Sequence, residues 1–412
     1  MLNFKKIILN NGIPLYILND PSLKQVFINY IVKYGSSGEW FKFNLDGKDH
    51  QVSSGHAHFL EHLLGEHSRY GNIYDNFTKR FHTYNTYTSM EHTSYNFYGI
   101  NDIKQSVKEL IEAVDMPVFD YRDVNHSKHA IEDEAATTSD DIKASLTVLA
   151  EKNLYGGFDL FDDSLSAIGD KRTTRKITTK DLRTCYDSFY SDDNKVLIIA
   201  GNINEQEIVD FLNEVYANIP RHKSNLILPK YDYESIRRKE DIVLTDIPID
   251  YNALGIKVEK PEDVTDRELQ FVLNVLLNAL FADNEYMEEM KDKGVLDELQ
   301  ACYFSRCDRF ANVIQGFIST KPDEYFKRVL ELLNKKDIKK EDYELIRRIL
   351  IAEEVRQLDS KYDALLSFGD KLPYTEDYSE LDYYKEFNYD RFKDIVDRLN
   401  FDKNTKVKTI TK

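Results

Sequence analysis

The chain has 412 residues, 42% of them hydrophobic and 31% charged, with a net charge of −17. That length fits two to three domains with ample apolar material for cores. The acidity argues against nucleic acid and anionic membrane surfaces as partners and suits a basic peptide. Three cysteines, Cys185, Cys302 and Cys307, are too few and odd in number for a disulfide framework, which fits a reducing compartment.

Residues 5–9 and 14–18 flank Asn10-Asn11-Gly12, a hairpin signal. The same Asn-Gly step interrupts the opening apolar run before it reaches signal-peptide length, and no stretch is long enough to span a bilayer. The reading is a cytoplasmic protein. Residues 26–34 form a third strand, ended by Gly35-Ser36-Ser37-Gly38, and a charged loop with the single tryptophan, Trp40, follows.

Next comes Gly55-His56-Ala57-His58-Phe59-Leu60-Glu61-His62-Leu63-Leu64-Gly65. As a helix, at roughly 100° per residue, it puts His58, Glu61 and His62 on one face and Phe59, Leu60, Leu63 and Leu64 on the other. Gly65 falls on the polar face and leaves space beside the imidazoles. Two neutral imidazoles at i and i+4 can hold one zinc ion. Glu61, one turn from His58, is too close to be a comfortable third ligand but well placed to take a proton from metal-activated water. The pattern is H-x-x-E-H, the zincin motif reversed.

Residues 83–89 and 93–99, rich in Thr and Tyr, read as paired strands. A helix spans 103–114, and after Pro117 another begins near Asp123 and carries Glu132 and Glu134, weakened in its middle by Thr137-Thr138-Ser139. A helix opens at Ile177, residues 195–200 form a fully apolar strand, and an amphipathic helix over 208–219 closes at Pro220. Residues 221–240 read as a linker between domains 1–220 and 241–412. In the second half the order of elements returns: strands at 242–246 and 252–258, a helix over 267–281, then a strand at 312–319 entering a helix, as 95–101 enters 107–114. The expectation is an internal duplication in which only the first copy holds H-x-x-E-H.

Together these features resemble the pitrilysin family of inverted-zincin peptidases. The helix at 55–62 is similar to the family's almost residue for residue. Asn85-Thr86-Tyr87-Thr88-Ser89 resembles its substrate-lining strand, and Ile168-Gly169, Asp181-Leu182, Phe189-Tyr190, Asn194 and Gly201 fall at its recurring landmarks. The resemblance implies an α+β fold of two homologous domains, each a mainly antiparallel sheet covered by helices on one side. It implies a zinc metallopeptidase with Zn2+ on His58, His62 and a third ligand roughly seventy residues on, at Glu134 or else Glu132. A carboxylate is needed as the third ligand, because two imidazoles and one carboxylate plus water make a catalytic zinc set. Asn85, Thr86 and Tyr87 would bind substrate as an added strand, with Asn85 orienting it beside the metal.

The family's second half also carries an Arg and a Tyr that reach the substrate carbonyl. The matching places here hold Met290 or Lys291 and Asp297, and an anionic Asp cannot donate to an oxyanion. The expectation is a heterodimer in which a homologous partner supplies the Arg/Tyr pair, a homodimer being the lesser choice. The alternative is a catalytically idle, peptide-binding subunit.

Overall fold

The computed structural model describes residues 4–139, 142–157, 169–282, 284–372 and 379–411. They form two compact units, one drawn from within 1–138, 161–230 and 357–379, the other from within 139–160, 231–356 and 380–412.

The first unit contains β1 (Lys5–Ile8), β2 (Pro14–Asn19), β3 (Val26–Val32), β4 (Lys42–Leu45), β5 (Lys48–Gln51), β6 (Thr83–Thr88), β7 (Thr93–Gly99), β8 (Lys195–Gly201) and β9 (Leu226–Ile227). Its main sheet has the order β1-β2-β8-β3-β7-β6, with β2 and β8 parallel and all other neighbours antiparallel. One face is covered by α1 (His56–Glu66), α2 (Ile73–Lys79), α3 (Ile103–Asp115) and α4 (Tyr121–Ser139), with the helices Thr179–Phe189 and Glu205–Ala217. Phe59, Leu60, Leu63 and Leu64 of α1 meet Leu110 and Ile111 of α3 and Tyr30, Tyr95 and Phe97 of the sheet in this core.

The opposite face is not bare. Tyr16, Phe27, Ile31, Val196 and Ile198 pack against Ala364, Leu365 and Phe368 of the helix Lys361–Lys371, which comes from the far end of the chain. The run Val196–Ala200 anticipates this, since a strand apolar on both sides needs cover on both. β8 is buried throughout.

The second unit contains β10 (Glu240–Thr245), β11 (Tyr251–Glu259), β12 (Glu298–Cys307), β13 (Phe310–Ile318) and β14 (Asn404–Thr411), in the order β10-β14-β11-β13-β12. β10 and β14 are parallel and the other pairs antiparallel. Order and sense repeat those of β2-β8-β3-β7-β6, so the duplication read in the sequence is present in the topology. One face carries the helices Asp266–Phe281, Pro322–Lys335 and Tyr389–Arg398. The other carries α5 (Ile142–Asn153), through Leu146 and Ala150 against Ala253 and Val407. Gly255 and Gly316 permit this close approach: a Cβ on them would lie 3.0 Å from Ala150 O and 2.9 Å from Thr147 Cγ2.

Each unit thus takes one helix from the other half of the chain, a departure from the contiguous 1–220 and 241–412 division. Helices cover one side of each sheet, as expected, and the exchanged helix lies on the second. The Trp40 loop contains the β4–β5 hairpin, and β4 also pairs with β9 inside the stretch read as linker. α4 runs unbroken through Thr137 to Ser139, because the helix-propensity deficit of Thr and Ser is only a few tenths of a kcal/mol each. No helix among the described residues is long and apolar enough to cross a membrane.

Within the first core, Lys195 Nζ lies 2.6 Å from Asp115 Oδ1, both side chains almost wholly buried, and the Tyr30 hydroxyl donates to Asp115 Oδ2 at 2.7 Å. Removing one member strands the other charge in a low dielectric. Lys195→Met is therefore expected to lower the stability of this unit by about 3–5 kcal/mol in urea unfolding. A change below about 1 kcal/mol would contradict the pairing.

Candidate metal centre

α1 begins at Gly55, whose φ of +89° is left-handed backbone that glycine adopts freely. Gly169, at φ +86°, packs on it: a Cβ there would lie 3.3 Å from Gly55 Cα and from Ser54 O. Ile168, its neighbour in the sequence reading, lies outside the described residues. His56 is buried, and its Nδ1 lies 2.8 Å from Ser53 O, tying down the first turn.

On this helix the expected face forms. His58 Nε2 and His62 Nε2 are 3.3 Å apart with their rings at 78°. Glu134, from α4, brings Oε1 to 3.6 Å from His58 Nε2 and Oε2 to 3.4 Å from His62 Nε2. These three residues are the one group of metal-ligating side chains that converges within 4.8 Å among the described residues. Donors held about 2.0–2.1 Å from one tetrahedral zinc lie about 3.4 Å from each other, so the set fits that ion. Glu132 points elsewhere, with Oε1 3.2 Å from Arg175 Nε. A separation of two residues turns a side chain about 200° round a helix, so α4 cannot offer both carboxylates to α1.

The electrostatics follow from the spacing. Burial, helped by His62, lowers the His58 pKa to about 4. At His62 burial also pulls downward, but hydrogen bonds with Glu134 and Glu66 outweigh it and raise the pKa to about 10. The Glu134 carboxyl is lowered, first by its bond to His62. Three electron-rich atoms so close are favourable only around positive charge, either a proton on His62 or a cation between neutral imidazoles. The side chain of His58 is 7% exposed and that of Glu134 47%, so the cluster has a buried floor and an open side.

Glu61 is buried, which raises its pKa, and the Thr88 hydroxyl opposes this by donating to Glu61 Oε2 at 2.7 Å. Among the described residues the strand Thr83–Thr88 is the outer strand of its sheet, paired to β7 alone. Its pleat turns Thr86 and Thr88 toward Glu61 and turns Asn85 and Tyr87 to the other face, where the Tyr87 hydroxyl bonds Asp370. Of the three expected substrate contacts only Thr86 faces the Glu61 side. Asn85, exposed on the opposite face, is not aimed at the imidazoles as expected.

Gly65 does not leave open space. A Cβ there would lie 2.0 Å from Tyr74 Oη, so the phenol fills the gap and holds α2 against α1. Sequence reasoning also missed Glu66, whose Oε1 lies 2.9 Å from His62 Nδ1. Its i+4 spacing from His62 was the available signal. A carboxylate on the distal nitrogen fixes the tautomer that leaves Nε2 free to ligate. Cys302 and Cys307 are thiols that stand outside this cluster.

The family model described as "Peptidase M16 inactive domain" matches residues 176–350, beyond His58, Glu61, His62 and Glu134. A Bacillus subtilis protein named an uncharacterised zinc protease, YmfH, is 26% identical over 366 residues, covering 85% of this chain and 83% of that protein. A second from the same organism, YmxG, carries the same description and is 22% identical over 76% of this chain and 73% of its own. Among solved structures, an M16-like protein of Alicyclobacillus acidocaldarius superposes with a TM-score of 0.84 at 20% identity, covering 100% of this chain and 99% of its own. A protease of Helicobacter pylori gives 0.79 at 15% identity over the whole of both chains.

Loss of the Glu66 carboxylate is expected to weaken zinc retention about 10- to 100-fold in Glu66→Ala, read by competition with a fluorescent chelator. Unchanged retention would remove Glu66 as a positioning residue.

Proposed function

Because the chain belongs to the M16, or pitrilysin, family of peptidases, as a short subunit of that family, we propose that it is a zinc-dependent endopeptidase that cleaves extended peptides. The observation that carries this is the 3.3–3.6 Å convergence of His58, His62 and Glu134 beside the buried carboxylate of Glu61. His58, His62 and Glu134 would hold the ion. Zinc, when bound, supplies Lewis-acid polarisation of a scissile carbonyl and of attacking water.

The chain's own residues do the rest. Glu61 takes the proton from water and returns it to the leaving amine, and its raised pKa strengthens it as a base. Thr88 fixes the rotamer of Glu61 through its hydroxyl. The outer edge of β6 offers backbone N–H and C=O groups to an extended peptide, so affinity carries little sequence demand. No side-chain nucleophile is needed, which leaves Cys185 as a buried packing residue.

The family's oxyanion-stabilising Arg and Tyr do not stand at their matching places. The arginine place holds Met290, buried in the second core, or Lys291, and Asp297 stands at the tyrosine place. We therefore assign the Arg/Tyr pair to a homologous partner chain in a heterodimeric chamber, with peptide or precursor maturation as the task. The same absence is what favours the second reading, a peptide-binding subunit without turnover.

The two readings separate experimentally. The chain, purified alone and with co-expressed homologues from its genomic neighbourhood, is assayed on unstructured peptides with and without chelator. Chelator-sensitive cleavage that needs the partner is expected. Glu61→Gln should keep about one zinc per chain and lose about 10²- to 10⁴-fold in kcat, while Glu134→Ala loses the zinc. Full activity of a lone monomer would exclude the heterodimer, and a zinc-loaded complex without cleavage would select the idle subunit.

A further inference from the structure

Phe81 is the most exposed of the large apolar side chains among the described residues, at 81%, and its φ of +61° is left-handed backbone. It closes α2: the Phe81 N–H donates to Thr78 O at 3.0 Å and the His82 N–H to Phe77 O at 2.9 Å. This is the Schellman closure, whose left-handed position favours glycine because a Cβ crowds the backbone there. A phenylalanine at this place strains the turn and spreads apolar surface into water, and asparagine or glycine would serve the fold better on both counts. Folding therefore does not account for the side chain, which points to a ligand.

Its position says which ligand. Phe81 lies two residues before β6, whose ladder with β7 ends at Thr83 and Tyr98, and Ile100, two residues beyond Tyr98, is itself 64% exposed. Asn101 Nδ2 donates to Arg80 O at 3.2 Å and ties the two turns together. Two exposed apolar side chains thus flank one end of the edge strand, while Thr86 and Thr88 near the other end meet Glu61. Phe81 precedes Thr86 by five residues and Thr88 by seven, roughly 17–23 Å of extended chain.

We infer that Phe81 and Ile100 form a distal subsite that takes a large apolar side chain five to seven residues from the cleaved bond of a peptide lying on β6. The substrates so selected are extended peptides whose arm on that side is at least this long and carries a leucine-like residue there. This rests on the reading of β6 as the strand that holds the substrate.

The test uses the full-length, zinc-loaded Glu61→Gln chain and fluorescein-labelled unstructured 16-residue peptides. They carry either leucine or serine five to seven residues from the centre, on one arm or the other. Anisotropy is expected to show the leucine peptides of one arm bound about tenfold more tightly. Adding Phe81→Asn removes that preference, and the variant melts about 2–4 °C higher because the turn is relieved. Equal binding of the leucine and serine peptides would overturn the subsite. So would a preference that survives both Phe81→Asn and Ile100→Ser, or a Phe81→Asn chain that melts lower. Leucine-dependent binding with no cleavage by the unaltered chain co-expressed with its homologous partner leaves this subsite standing and removes the peptidase reading. Cleavage without leucine dependence does the reverse, and binding of neither peptide removes the subsite.

Discussion

Two imidazole nitrogens and a carboxylate facing each other across 3.3–3.6 Å form the constraint on which the first unit turns. Such a cluster is repulsive unless positive charge lies between its members, so the fold must hold it in place. The apolar face of α1 does so from below, through Phe59, Leu60, Leu63 and Leu64, and the Gly65–Tyr74 contact does so from the side. α4 is anchored by Ile131 and Ala135, both fully buried, and this sets the helical phase that turns Glu134 to the imidazoles and Glu132 to Arg175. Polar convergence here is bought with apolar burial elsewhere.

The duplicated topology separates scaffold from chemistry. Five strands recur in the same order with the same senses, yet among the described residues the one converging group of metal-ligating side chains lies in the first copy. In the second copy the helix that follows β11 and holds the place of α1, Asp266–Phe281, buries Leu269, Val272, Leu273 and Leu276 among apolar neighbours. Each sheet also receives one helix from the other half of the chain, Lys361–Lys371 on the first and α5 on the second. Separating the halves at residue 220 or 240 would strip an apolar face from each sheet.

Much of the site was legible because it is local. His58, Glu61 and His62 follow from helical periodicity alone, and the strand pair 83–99 from its β-branched and aromatic composition. Glu134 was harder. The need for a third donor is a matter of coordination chemistry, but the choice over Glu132 depends on the phase of α4 against α1, which no local pattern encodes. Asn85 was misjudged because its motif gives a strand but not which face of the pleat meets Glu61. Gly65 was read as a gap because a sequence does not reveal that a tyrosine nine residues on will fill it. The exchanged helices were illegible for the same reason. Their apolar stripes state that they pack but not on which sheet, although the doubly apolar run Val196–Ala200 did require a second cover.

The central claim is that one divalent cation is held by His58, His62 and Glu134. Zinc K-edge X-ray absorption on the full-length chain loaded with one equivalent of zinc tests it most directly. Two imidazole nitrogens at about 2.0–2.1 Å with the remaining scatterers oxygen are the predicted first shell. A shell with sulfur at about 2.3 Å, or with no imidazole scattering, would contradict the account.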